Sequence, residues 1–189
     1  MNKLLRTYSV IIPTKTYLRK YIYCEHGFPL EINYNSTLGT LILCMLEKEV
    51  FTVKMSEAKK DMRIQYMNDQ LEFTASLNTM HYKGSGLSKD KIIAINRYIE
   101  NSFVEDLHRH CKYHIKETSW RPGIKDAIYA FAESYGIDVE TDISFEALKK
   151  AEFRYKKRLE EKKLQKTLVT SVPKPNHPLQ SLFFPAFAY

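Results

Sequence analysis

The sequence predicts an α+β protein, because strand-like patterns lie in its first half and helical periodicity fills its second half. The strand signal is strongest at 5–12, where β-branched residues lead up to Pro13. The period becomes helical after 83–86, a segment with two glycines. With 189 residues, of which 44% are hydrophobic, the chain can bury a core of ordinary size. We expect three regions, namely an α+β unit at 1–83, a helical unit at 84–166 and an extended tail at 167–189.

The first region is predicted to contain two helices and a small antiparallel sheet. A helix over 14–25 that stops at Gly27 is predicted from the spacing of Tyr17, Leu18, Tyr21 and Ile22. Asn35 or Ser36 is expected to cap a second, buried helix through Leu46. Strand-like segments then predict an antiparallel meander at 49–55, 62–67 and 71–77.

The second region is predicted to be three consecutive helices. The first runs over 88–114 with an inner stripe of Ile92, Ile95, Asn96, Ile99, Phe103 and Leu107. The second runs over 124–135, ends at Gly136 and turns inward Ile124, Ile128 and Phe131. The third begins after Asp142 or Ser144, runs to 166 and turns inward Phe145, Leu148, Ala151, Tyr155 and Leu159.

Charge and cysteine usage indicate the setting. The formal net charge is +7 and the pI is near 9.2, which favours a polyanionic partner. The three cysteines are an odd, widely spread set, which is typical of a reducing cytoplasm. The longest apolar run, 38–46, is too short to cross a membrane. We expect a cytoplasmic protein that has no membrane contact.

A basic helix is the strongest functional signal. Lysine and arginine dominate 149–166, against Glu152, Glu160 and Glu161. Such a helix can neutralise phosphates, so we expect nucleic acid, DNA in particular, as the partner of a non-enzymatic protein. The alternatives are a solvated helix whose glutamates pair with its lysines, and an acidic protein partner. The predicted contact residues are Lys149, Lys150, Arg154, Lys156, Lys157, Arg158, Lys162 and Lys163.

Two other clusters contain residue types that occur in metal or catalytic sites, but their spacing does not match the motif of such a site. An acidic stretch surrounds Asp138, Asp142 and Glu146, but its spacing matches no calcium loop, and we interpret it as helix-start carboxylates. His110 and His114 lie one helical turn apart with Cys111 beside them, which is an incomplete zinc-ligand set. The sequence has no phosphate-loop, dinucleotide or nucleophile-elbow motif. We therefore predict no catalytic residue, no metal and no cofactor.

The tail carries a second functional hypothesis. Its prolines exclude a regular helix, and it ends in an apolar run that includes Phe183, Phe184, Phe187 and Tyr189. These side chains are expected to dock on the protein itself, on a second copy or on a protein partner. The alternative function is therefore a structural or adaptor protein held through this tail.

Two stretches carry a family resemblance. The first is VIIP at 10–13 with YLRKY at 17–21, and the second is ISFEALKKA at 143–151 with RYKKR at 154–158. His26-Gly27 and YGI at 135–137 accompany them. Together they resemble small uncharacterised proteins of phages and other mobile elements of Bacteroides-type bacteria. The resemblance implies a setting, either a DNA-binding accessory or regulator, or a virion or host-interaction component, and it implies no role for any residue.

Overall fold

The computed structural model describes residues 7–48, 64–117 and 123–170. Within these ranges it has six helices and one three-stranded sheet, which confirms the α+β class. The strands are β1 Thr7–Thr14, β2 Leu30–Glu31 and β3 Asp69–Ser76. The helices are α1 Thr16–His26, α2 Thr37–Met45, α3 Leu77–Lys83, α4 Lys89–Glu117, α5 Ile124–Ser134 and α6 Phe145–Thr170. None of these helices is long and apolar enough to cross a membrane.

The sheet is mixed, which corrects the predicted antiparallel meander. Its central strand is β3, which is antiparallel to β1 along its whole length and parallel to β2. The predicted strand at 71–77 corresponds to β3, and the one at 49–55 lies outside the described residues. The described part of 62–67 is a turn, because the Met67 amide donates to the Ile64 carbonyl and the two buried side chains are three residues apart. Alternation of apolar and polar side chains identifies a strand but not the strand that pairs with it. The order of the strands in the sheet could therefore not be predicted from local sequence.

The inner stripe of α4 forms the centre of the core. All the residues predicted for it are buried, and the stripe continues at Cys111. The elements that pack most extensively on α4 are α1, α2, β1 and α5. Each large apolar side chain buried there contributes about 1.5–3 kcal/mol, so this one stripe joins the sheet to the helices.

A buried polar contact fixes the end of β1 against α4. The Thr14 hydroxyl donates to Asn96 Oδ1 at 2.6 Å, and Asn96 Nδ2 donates to the carbonyls of Pro13 and Ile92 at 3.0 Å each. Thr14 and Asn96 are both buried. Since a buried polar group without a partner is costly, this contact sets the register between strand and helix.

The two N-terminal helices form as predicted, and a third was missed. Helix α1 ends at Gly27, whose φ of 80° favours glycine, and Ser36 caps α2 by accepting from the Gly39 amide at 3.0 Å. Helix α3 was not expected directly after β3. Its signal is present in the sequence, because the Ser76 side chain accepts from the Thr79 amide and caps this short helix.

The glycine segment at 83–86 is held by hydrogen bonds to the chain after α2. Gly86 and Glu47 exchange two backbone hydrogen bonds, of 2.9 and 3.0 Å. A Cβ on Gly84 would lie 2.2 Å from the Glu47 carbonyl oxygen, which explains the glycine there. The chain divides into compact units at 1–155 and 156–189, so residue 83 falls inside the first unit.

The three helices predicted for the second half are present, with differences in detail. Helix α4 continues to Glu117, past the predicted end at 114. Ile124 is 36% exposed rather than buried, because it is the first residue of α5. Helix α6 continues to Thr170, past the predicted end at 166. The tail residues Phe183, Phe184, Phe187 and Tyr189 lie outside the described residues, so their docking stays a prediction.

The Thr14–Asn96 contact yields a stability prediction. Replacing Asn96→Ala removes the acceptor of the buried Thr14 hydroxyl and a donor to Pro13, and should lower the free energy of unfolding by roughly 2–4 kcal/mol. Urea denaturation followed by circular dichroism measures it. Arg97→Ala, an exposed change on the same helix, is the control and should shift stability by no more than about 0.5 kcal/mol. Equal effects of the two substitutions would contradict a structural role for the contact.

Candidate nucleic-acid interface

The start of α6 is fixed by its own capping groups. The Ser144 hydroxyl accepts from the Ala147 amide at 3.3 Å, which confirms one of the two predicted start positions. The Glu140 carboxylate accepts from the Phe145 amide at 3.0 Å. A carboxylate at the amino end of a helix is favoured by the helix dipole. The first turn of α6 is therefore held by side chains of the loop that precedes it.

An ion pair attaches this loop to α1. Lys20 Nζ donates to Asp142 Oδ2 at 2.5 Å, and the same oxygen accepts from the Asp138 amide at 2.9 Å. Burial alone would raise the pKa of Asp142, but the bonds from Lys20 and Asp138 hold that pKa below its ordinary value. The interpretation of Asp142 as a carboxylate serving the helix dipole is therefore incomplete, because its main partner is Lys20.

Contacts with α4 determine which side of α6 faces inward. Leu148 is fully buried, and Glu152 is buried with its Oε1 3.1 Å from His108 Nδ1. The Tyr155 ring lies 5.3 Å from the His108 ring, between centroids. In the sequence, Glu152 is one of the glutamates whose negative charge opposes the lysines of 149–166. Because it faces α4, it offers little neutralisation to the outer side of the helix.

The outer side of α6 is strongly basic. The predicted contact residues Lys149, Lys150 and Arg154 are exposed in the first unit. Exposed basic residues in the part of α6 that belongs to the second unit are Lys156, Lys157, Arg158, Lys162 and Lys163, and Glu160 and Glu161 are exposed there too. The Lys149–Glu146 and Lys157–Glu161 pairs are 3.6 and 4.0 Å long and exposed, so each contributes about 0.5 kcal/mol or less. Pairs this weak do not hold the lysines away from another anion.

Aromatic side chains lie near these cations. Phe145, which was predicted to face inward, is half-buried and packs against the core. Phe153 is 64% exposed. Tyr129 and Phe145 stack with centroids 5.6 Å apart and planes 9° apart. Lys125 Nζ lies 5.9 Å from the centre of the Tyr129 ring, and Lys149 Nζ lies 5.9 Å from the centre of the Phe145 ring. The sequence signal for the exposure of Phe153 was helical spacing, which places Phe153 off the stripe of apolar residues that faces the core.

The histidine and cysteine cluster serves helix packing. The rings of His110 and His114 stack at 5.7 Å, and His110 also packs edge-on against Phe131 of α5. Burial first, and His114 second, lower the pKa of His110. Cys111 is buried, and burial together with the charge of Glu152 raises its thiol pKa to about 12. Across the described ranges, no three His, Cys, Asp or Glu side chains come together in a way that could hold a metal ion.

Comparison of the chain with protein-family models, curated proteins and solved structures gives no match. The geometry of α6 is therefore the basis on which a function is assigned.

The Lys20–Asp142 pair yields a pH-dependent prediction. Because the folded-state pKa of Asp142 is lowered, its carboxylate contributes stability that is present above about pH 4 and is lost as the pH falls through the folded pKa. Asp142→Asn should lower the free energy of unfolding by about 1–2 kcal/mol at neutral pH. Its difference from the wild type should narrow in acid, as measured by urea denaturation across a pH series. Glu133→Gln, at an exposed carboxylate, is the control. If the difference in unfolding free energy between Asp142→Asn and the wild type stayed constant down to the lowest pH, the stabilising role of the Lys20–Asp142 pair would be contradicted.

Proposed function

We propose that the protein binds nucleic acid without catalysing a reaction, as an accessory or regulatory protein. The observation that carries the proposal is the exposure of the basic residues along α6. Its buried carboxylate, Glu152, faces α4, while the predicted basic residues from Lys149 to Lys163 are exposed. Lysine and arginine at this density neutralise backbone phosphates and release the counterions condensed on them.

The contacts expected from this helix are with phosphates rather than with base edges of a duplex. Helices α5 and α6 are joined by residues 135–144, which is longer than the turn of a standard helix-turn-helix. Lysines also predominate over arginines on the outer side, and lysine acts on phosphate as a point charge. The proposed binding is therefore sequence-tolerant and sensitive to salt.

Three side chains of types that act in catalysis elsewhere have structural surroundings in this fold, which supports a binding role. Cys111 has a raised thiol pKa, so its nucleophilic thiolate is suppressed at neutral pH. Glu152 is bonded to His108 between two helices, and Asp142 is bonded to Lys20. Each of these groups is occupied in holding one element against another.

A charge reversal tests the proposal. Lys156→Glu combined with Lys157→Glu places two negative charges on the proposed phosphate-binding side, and should weaken affinity for a labelled DNA oligonucleotide by roughly 10- to 100-fold at low salt. Fluorescence anisotropy measures this affinity, and circular dichroism should show an unchanged helix content.

The matched control is Lys83→Glu combined with Lys89→Glu. These two exposed lysines lie on α3 and α4, and their reversal changes the net charge by the same amount. This variant should keep most of the affinity. Equal losses in both variants would mean that total charge, and not α6, attracts the nucleic acid.

A further inference from the structure

We propose that α6 carries a base-stacking site centred on Phe153, and that its ligand is single-stranded nucleic acid. This inference rests on the proposed function, because the cations that would hold the phosphates are the same. It adds a second kind of contact, between an aromatic ring and an unpaired base. It also assigns a substrate class, which charge alone does not.

Phe153 is an apolar ring placed on the basic side of the helix. It is 64% exposed, whereas Leu148 and Glu152 on the inner side are buried. Leaving a phenyl group in water forgoes the free energy of burying it. Within the described ranges, its ring has no stacking or cation–π contact. A ligand that covers this ring would recover that free energy.

Cations surround the ring. Lys149 and Lys150 precede Phe153 by four and three residues, and Arg154 follows it directly. Residues three and four apart are neighbours on a helix surface, with about 5–6 Å between their Cβ atoms. The sequence continues the pattern with Lys156 and Lys157, three and four residues later. The ring therefore lies where a bound phosphate backbone would bring a base within reach.

A second aromatic pair lies near the start of α6, where Phe145 is half-buried and packs against the core. Phe145 lies eight residues before Phe153, with Lys149 midway, so the three follow one another along α6 at four-residue intervals. Phe145 stacks on Tyr129, which is 41% exposed and has Lys125 beside its ring. Alternation of cations with aromatic rings is the composition of surfaces that bind single strands.

Single strands fit this surface better than duplexes. In a duplex the faces of the bases are stacked on one another, and extruding a base costs a few kcal/mol. An unpaired base presents its face at no such cost, and every base has one, so binding is sequence-tolerant. An acidic protein would satisfy the lysines and arginine, but would need an aromatic side chain at a matching position to cover Phe153, whereas every base of a single strand has a face that can stack.

The test separates stacking from phosphate binding. Affinities of the full chain are measured for oligothymidine, for oligouridine and for an abasic phosphodiester of the same length and charge. The variant is Phe153→Leu, which keeps an apolar side chain and removes the ring. The control is Tyr82→Leu, at an exposed tyrosine on α3. Circular dichroism and thermal melting confirm that each variant is folded.

Wild type should bind oligothymidine or oligouridine more tightly than the abasic polymer, and Phe153→Leu should lose roughly 5- to 100-fold on the base-containing strand alone. Tyr82→Leu should change neither affinity. In Phe153→Trp, stacking should preserve the affinity and quench the new indole fluorescence on binding, measured against wild type, whose one tryptophan is Trp120.

Contrary results are distinguishable. Equal binding of base-containing and abasic polymers, unaffected by Phe153→Leu, would overturn the stacking site and leave the proposed function standing. No binding of any polymer at low salt would overturn both. Polyglutamate that binds as tightly as oligothymidine, with the same loss in Phe153→Leu, would identify an acidic protein as the partner and also overturn the proposal.

Discussion

The rotation of α6 about its axis is the constraint on which the outer chemistry of the molecule depends. Leu148 is fully buried, and the Glu152 carboxylate reaches His108 on α4, so the helix has one inner side. A buried carboxylate requires a partner, because its desolvation is otherwise too costly. If Glu152 is placed inward, the helical period turns Lys150 and Phe153 outward. The inward contact of Glu152 with His108 therefore determines which side chains α6 presents to solvent.

The rest of the fold holds that helix in place. The buried stripe of α4 is shared by the sheet and the helices, and the Thr14–Asn96 contact fixes β1 against it. Lys20 and Glu140 then hold the loop and the first turn of α6. Side chains of types that act in catalysis in other proteins form these attachments in this fold. Among the exposed side chains of α6, lysines and arginines outnumber the carboxylates of Glu146, Glu160 and Glu161, which is suited to binding an extended anion.

Local patterns predicted most of the helices, because burial on one side of a helix appears in the sequence as a period. The stripe of α4 and the caps at Ser36 and Ser144 are examples. Sheet order was not predictable in this way, since β3 pairs with β1 and β2 across long separations in sequence. The inward direction of Glu152 depends on a histidine 44 residues away. The basic residues were identified by charge alone, whereas the exposure of Phe153 required the orientation of the helix.

The most direct measurement is a binding titration of the full chain with a labelled single strand across a salt series. Neutralised phosphates release counterions, so the logarithm of the association constant should fall linearly with the logarithm of salt concentration, with a slope of about −0.7 for each phosphate contacted. A slope that corresponds to several phosphates is the predicted result. Absence of binding at low salt, or an affinity that salt does not change, would contradict the assignment of α6 as a nucleic-acid surface.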